Sequence, residues 1–133
     1  MKDGFWLQVG AVWGFLAVAM GAFGAHGLKD RLTELGQAAS FQTAAQYHMY
    51  CALALLAVGA LILTGRSGTA ATVAGWSLLI GSLIFSGSLY LLAVTGLKWL
   101  GAITPLGGVA MLIGWAALAV AAGAQKRLEL MAE

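Results

Sequence analysis

Two histidines and one cysteine, His26, His48 and Cys51, are the residues whose chemistry is most specific. Cys51 follows His48 by three residues, a spacing that puts both on one face of a helix. His26 and His48 flank one polar connection, so both are expected near one membrane face. Should folding bring His26 alongside, a His–His–Cys set would supply imidazole and thiolate donors suited to a transition metal. Two histidines from different helices can also hold haem. No short spacing motif fixes either site, so the plainer expectation is hydrogen bonding by each imidazole near the interface. On this reading no cofactor is expected.

A second group of polar residues is spaced for a shared face. Gln42, Gln46 and Tyr50 recur at i, i+4 positions, with Thr43 and Tyr47 beside them. This stripe either lines a path for a small solute or binds neighbouring helices by hydrogen bonds, the commoner use of polar side chains in membrane helices. Ser82, Ser86 and Ser88 with Tyr90 form a third set, expected to bond their own i−4 carbonyls or an adjacent helix. A nucleophilic serine would need a base nearby, and the apolar stretches contain no acidic residue. Asp3, Asp30, Glu34, Glu129 and Glu133 all fall outside them. That weakens an ion-coupled transporter, which usually keeps an ionisable group at membrane depth.

The elements that must position these residues follow from composition and length. Of 133 residues, 61% are hydrophobic and 9% charged, against about 25% charged in an ordinary soluble domain. Such a chain cannot cover its surface with polar groups, so lipid is the expected surrounding. A net charge of +2 and the absence of a basic patch exclude nucleic-acid binding. A single cysteine excludes an intramolecular disulfide.

At a rise of about 1.5 Å per residue, about 20 apolar residues cross a hydrocarbon core of about 30 Å. Four stretches qualify, at about 5–25, 47–63, 71–95 and 105–124. They do not alternate polar with apolar as barrel strands do. The expected fold is therefore all-α, an integral membrane four-helix bundle forming a single domain over 1–133. The first stretch is longer than the roughly 7–15 apolar residues of a signal-peptide core, and is expected to stay as a span.

The 27–46 connection is the one long enough to hold separate structure. Leu28, Leu32, Leu35 and Ala39 recur at helical spacing among Lys29, Asp30, Arg31 and Glu34, predicting a short amphipathic helix on the membrane surface, broken near Gly36. The polar run Ser40–Gln46 is expected to lead into the second span. Thr104-Pro105 predicts a helix start capped by the threonine hydroxyl. Lys126-Arg127 places cations at the end of the fourth helix. Arg66-Ser67-Gly68 is a turn, and Lys98-Trp99 is an interfacial anchor. Trp6, Tyr47, Tyr50 and Trp99 suit aromatic belts. Lys2, Arg66, Lys126 and Arg127 share one side, against Lys29, Arg31 and Lys98 on the other, which favours cytoplasmic termini.

Helices in lipid associate by close packing, so small residues mark contact faces. Gly10, Gly14, Ala17, Gly21 and Gly24 form such a ridge on the first span. Gly81 marks the third, and Gly107 and Gly114 the fourth, for packing within the bundle or between copies.

Several blocks in fixed order carry a family resemblance: Gly21-Ala22-Phe23-Gly24-Ala25-His26-Gly27-Leu28, Tyr47-His48-Met49-Tyr50, Phe85-Ser86-Gly87-Ser88-Leu89-Tyr90 and Gly101-Ala102-Ile103-Thr104-Pro105-Leu106-Gly107-Gly108. Over essentially its whole length the chain resembles the YgdD/YwdK-like small membrane proteins, domain of unknown function 423. The resemblance implies a four-span protein of the bacterial inner membrane. It supplies no catalytic residue, cofactor or substrate. It also implies a histidine where Cys51 stands here, a change that disfavours haem at that position more than zinc or copper.

The function expected from these readings is non-enzymatic: an accessory or interaction component, or a small homo-oligomer, whose partners are the bilayer, its own copies or other membrane proteins. The alternatives are an oligomeric permeation protein for a small solute or ion, and a metal- or haem-binding membrane protein. An intramembrane enzyme would require Ser86 or Tyr90 to face a polar cavity containing His48.

Overall fold

A computed structural model describes residues 4–66 and 68–133, with the side chains of 125–130 excepted. Lys2 and Ser67, and the side chains of Lys126 and Arg127, lie outside the described residues. Helices α1 (Phe5–Ala25), α2 (Lys29–Leu35), α3 (Ala38–Leu63), α4 (Thr69–Thr95) and α5 (Thr104–Ala132) follow one another, with a 3-10 turn at Lys98–Ala102 before α5. No strand occurs among the described residues. Four of the helices are long and apolar enough to cross a membrane.

The helix of the second span begins at Ala38, just ahead of the polar run Ser40–Gln46 expected to lead into the apolar stretch at 47. Residues 38–58 contain neither glycine nor proline, so nothing stops the helix between Ala38 and the apolar run. Gln42 and Gln46 therefore stand on the spanning helix, and the separate interfacial helix shrinks to Lys29–Leu35. That short helix ends in a Schellman motif: Gly36 takes φ 66°, Gln37 N–H donates to the Leu32 carbonyl and Gly36 N–H to that of Thr33. The same motif closes α3, where Gly65 takes φ 86° and Arg66 N–H donates to the Leu61 carbonyl.

The apolar face of α2 packs onto the bundle. Leu32 is buried with Phe41 and Ala93, and Leu28, Met20, Tyr90 and Val94 close around them. The Arg31 guanidinium donates twice, at 3.3 Å, to the Val94 carbonyl near the exposed end of α4. This helix thus plugs one end of the bundle.

Neighbouring spans run antiparallel, and their packing is serial: α1 lies on α3, α3 on α4, and α4 on α5, leaving α1 and α5 at the two edges. The main core joins Trp6, Cys51, Leu55, Val58, Ala74, Leu78 and Met111. Trp6, expected in an interfacial belt, is instead 1% exposed. Its indole lies where a side chain on Gly75 would otherwise stand, edge-on to Phe5 and Trp76. Trp99, in the 3-10 turn, is 62% exposed, as an anchor should be.

Small residues bring backbones together at particular points. A Cβ built on Gly10 would stand 2.9 Å from the Leu56 nitrogen, and one on Gly59 would stand 2.8 Å from that of Leu7. One on Gly81 would meet the Met111 nitrogen at 2.7 Å, and one on Gly114 would meet Leu78 Cγ at 2.7 Å. Gly107 faces the Phe85 and Gly81 backbones in the same way. Gly14 of the predicted ridge does not need to be glycine, since a Cβ there would rest 3.7 Å from that of Ala52, an ordinary contact, and Gly21 has nothing within 4 Å.

The start of α5 also differs from expectation. Pro105 occupies the first turn as predicted, but Thr104 makes no cap bond to the backbone N–H groups. Its hydroxyl lies 2.6 Å from that of Ser88, joining α5 to α4, because the buried Ser88 offers a closer partner.

Candidate functional site

Between the main core and the α2 plug lies a polar layer centred on His48. His48 stands about ten residues into α3, hence about 15 Å along the helix from its start. The side chain is 4% exposed, so it belongs to the bundle interior and not to the expected interfacial position. Its Nδ1 is 3.0 Å from the Tyr90 hydroxyl of α4, and its ring meets that of Trp13 of α1 edge-on at 4.6 Å. Trp13 Nε1–H donates to Ser82 Oγ at 2.9 Å, so one indole links the histidine to α4.

The hydroxyls of this layer are already engaged. Ser86 Oγ–H donates to the Ala44 carbonyl at 2.7 Å, joining α4 to α3. Ser82 Oγ donates to the Leu79 carbonyl while accepting from Trp13. One polar atom is left over: His48 Nε2 is buried and has no hydrogen-bond partner.

His48, Ser86 and Tyr90 line one cleft of about 210 Å³ between α1 and α4. Its other walls are largely apolar, with Leu16, Met20 and Leu83 among them. The Ser86 proton is directed to a carbonyl and not to His48, and no described carboxylate orients the imidazole. A serine–histidine relay is therefore not assembled among the described residues.

The candidate metal trio is not assembled either. His26 is exposed at the end of α1, whereas His48 and Cys51 are buried. Among the described residues, no three of His, Cys, Asp and Glu are grouped to hold a metal ion. The flanking positions of the two histidines in sequence misled, because α3 extends into the connection and carries His48 inward.

The Gln42, Gln46 and Tyr50 stripe faces outward. Gln42 borders a cleft of about 440 Å³ with Lys29 and Thr33 at the α2 end. Tyr47 and Tyr50, with ring centroids 5.4 Å apart, border a larger one of about 580 Å³ between α3 and α5, together with Cys51, Phe85, Met111 and Trp115. Of the expected polar-face residues, the structure brings only Ser86 and Tyr90 to His48. Trp13, Gly59 and Gly75 were missed. A helix with apolar residues on every side gives no periodic cue to which tryptophan or glycine points inward.

Four long apolar helices, interior hydroxyls and glycine contacts in place of a polar-coated core define a multi-pass helical membrane protein. The model of the family described as a protein of unknown function (DUF423) matches residues 20–108, and the chain belongs to that family. It is 49% identical over 115 residues to the UPF0382 membrane protein YwdK of Bacillus subtilis (strain 168), covering 86% of this chain and 92% of that protein. It is 45% identical over 113 residues to a UPF0382 membrane protein of Staphylococcus epidermidis (strain ATCC 12228 / FDA PCI 1200), covering 85% and 90% of the two chains. No solved structure gives a significant match.

Proposed function

We propose that the chain is a non-enzymatic interaction component of the (inner) cell membrane that assembles with copies of itself through the face between α3 and α5. The observation that carries this reading is the 580 Å³ cleft on that face, walled by Tyr47, Tyr50, Phe85 and Trp115 and bordered by Gly108. Serial packing leaves α5 with one extensive neighbour, α4. In lipid, shape complementarity and close backbone approach drive helix association, and this face offers a recess with a glycine at its edge. Engagement of the interior hydroxyls in structural bonds supports binding over chemistry.

Native mass spectrometry of the full chain released from lipid nanodiscs tests the assembly. Dimers or larger species are expected, and Gly108→Trp, which fills the recess, should weaken association at least tenfold. Monomers alone at every protein-to-lipid ratio would overturn the reading. Both termini are placed in the cytoplasm, supported by the excess of Lys2, Arg66, Lys126 and Arg127 over Lys29, Arg31 and Lys98. A fluorescent protein fused to the C-terminus should fold and glow in cells, whereas periplasmic or extracellular alkaline phosphatase activity from the equivalent fusion would reverse the orientation.

A further inference from the structure

The charges of α2 are sorted around its axis. Lys29 and Arg31 balance Asp30 and Glu34, so the helix is neutral as a whole. At about 100° per residue, Asp30 and Glu34 stand about 100° and 140° around from Lys29, whereas Thr33 stands about 40° from it. Lys29, Leu32 and Thr33 accordingly line the cleft of about 440 Å³ between α2 and the adjoining ends of α1 and α3, and no described carboxylate does. Arg31 is engaged elsewhere, at the Val94 carbonyl. A cation without an acid beside it thus borders a cleft inside the range of about 300–1,000 Å³ that small-molecule sites occupy.

The polar groups of this cleft are open to a ligand. Lys29 is exposed, and its ammonium carries three donors. Thr33 Oγ–H donates to the Lys29 carbonyl at 2.8 Å, which leaves the threonine oxygen as an acceptor. Gln42 is exposed on the α3 wall, and its carboxamide can both donate and accept. Lys29 and Thr33 are four residues apart on one helix, so an ammonium and an acceptor oxygen stand side by side. That pairing fits an anion that also bears hydroxyl groups.

Two helices set the depth independently. The 21 residues of α1 measure about 32 Å, close to the hydrocarbon thickness of about 30 Å, so its end at Ala25 marks the edge of the core. The 26 residues of α3 measure about 39 Å, and sharing the excess between both sides puts that edge about 4 Å from its start, near Phe41. Gly21 and Ala25 on α1, and Ala38 and Ala45 on α3, bound the cleft, which therefore straddles the boundary between headgroups and acyl chains.

The part nearer the bilayer centre is apolar. Leu32 and Phe41 are buried in its wall, and a Cβ on Gly21 would meet nothing within 4 Å, so the α1 side is recessed. A free anion in water would leave this recess unfilled. A lipid occupies both parts.

We infer that the cleft seats one anionic phospholipid with a hydroxyl-bearing headgroup. Its phosphodiester lies on the Lys29 ammonium and the Gln42 amide, a headgroup hydroxyl donates to Thr33 Oγ, and an acyl chain passes Gly21 and Ala45 into the bilayer. The site is separate from the α3–α5 face proposed for self-assembly, and neither depends on the other.

Native mass spectrometry of the full chain, released from nanodiscs of equal parts phosphatidylglycerol and phosphatidylcholine, tests the assignment. One phosphatidylglycerol per chain should stay bound, with a preference of roughly tenfold over phosphatidylcholine, whose choline cation opposes Lys29. Lys29→Gln should remove most of that preference. Gly21→Leu, which fills the recess, should abolish retention without lowering thermal stability. Lys98→Gln takes away another exposed cation, in the connection beside α2 but outside the cleft, and should change nothing. Phosphatidylmethanol, anionic but without headgroup hydroxyls, should be retained less than phosphatidylglycerol. Equal losses from Lys29→Gln and Lys98→Gln would show diffuse surface attraction and overturn the site, as would retention that survives Gly21→Leu or no retention at all. Glycerol 3-phosphate binding as tightly as the lipid would show a site for a free phosphate ester, and would equally overturn the lipid assignment. Equal retention of phosphatidylmethanol would overturn the role given to Thr33.

Discussion

Replacing Gly107 by alanine should destabilise the bundle by about 2 kcal/mol, and replacing it by valine by more, whereas Gly21→Ala should be neutral or stabilising. All these changes add carbon to a glycine in a helix. On propensity alone, alanine gains up to about 1 kcal/mol over glycine in a helix interior. The sign is decided by what the new atom meets. At Gly107 it meets the backbone of Phe85 and the Gly81 carbonyl oxygen, neither of which can swing aside as a side chain does. The helices must separate, which strips contacts along the whole α4–α5 seam. Overpacking costs about 1–3 kcal/mol even where side chains can yield. At Gly21 a Cβ meets nothing within 4 Å, so only the propensity gain remains. Unfolding in mixed micelles with increasing dodecyl sulfate, followed by circular dichroism, distinguishes the two. Equal midpoints for Gly107→Ala and Gly21→Ala would contradict the close α4–α5 approach.

The second large effect is expected at Trp6. In water-soluble cores, tryptophan to alanine costs about 3–5 kcal/mol, part of it from returning apolar surface to water. Lipid removes most of that transfer share, because the chain is surrounded by hydrocarbon whether helices pack or not. The expected loss for Trp6→Ala is therefore about 2–3 kcal/mol, from lost contacts and the space left behind. Trp6 Nε1 has no hydrogen-bond partner, so ring packing is what the residue supplies. Trp6→Phe should accordingly retain most of the stability. The seat of the indole gives a sharper check. Gly75→Ala alone should cost about 1–3 kcal/mol, since a methyl there overlaps the ring. On the Trp6→Ala background the same change should be harmless, giving a coupling of about 1–3 kcal/mol in a double-mutant cycle. Additive effects would place Trp6 elsewhere.

The number of spans could be read in the sequence, because bilayer thickness imposes a minimum length on any helix that crosses it, whereas their ends could not: α3 reaches back to Ala38. Chain reversals marked by residues with special backbone needs were also legible, such as Gly36 at the end of α2 and Pro105 at the start of α5. Which side of each helix faces its neighbours was harder to read. In a soluble protein the buried face is the apolar one, but here lipid and interior are both apolar, and only small residues give a hint. Close backbone approaches do fall at Gly10, Gly81, Gly107 and Gly114, but Gly14 has room for a methyl group and Gly21 faces open space. The hint passed over Gly59 and Gly75, whose partners Leu7 and Trp6 lie far away in sequence.

The polar layer was hidden for a related reason. The bond between His48 and Tyr90 joins residues 42 apart on separate helices, and depends on the rotation of both. Local spacing instead grouped His48 with Cys51 and His26, the residues nearest in the chain. Thr104 shows the same competition on a smaller scale. Its position before Pro105 suggested a local cap, and a hydroxyl on α4 proved the better partner.

The serial order of the spans bears on how the protein is made. As each helix leaves the ribosome and enters the bilayer, the helix it chiefly packs against is already there: α1 awaits α3, α3 awaits α4, and α4 awaits α5. No segment must be held in reserve for a distant mate, and assembly can keep pace with translation from the first hairpin to the last.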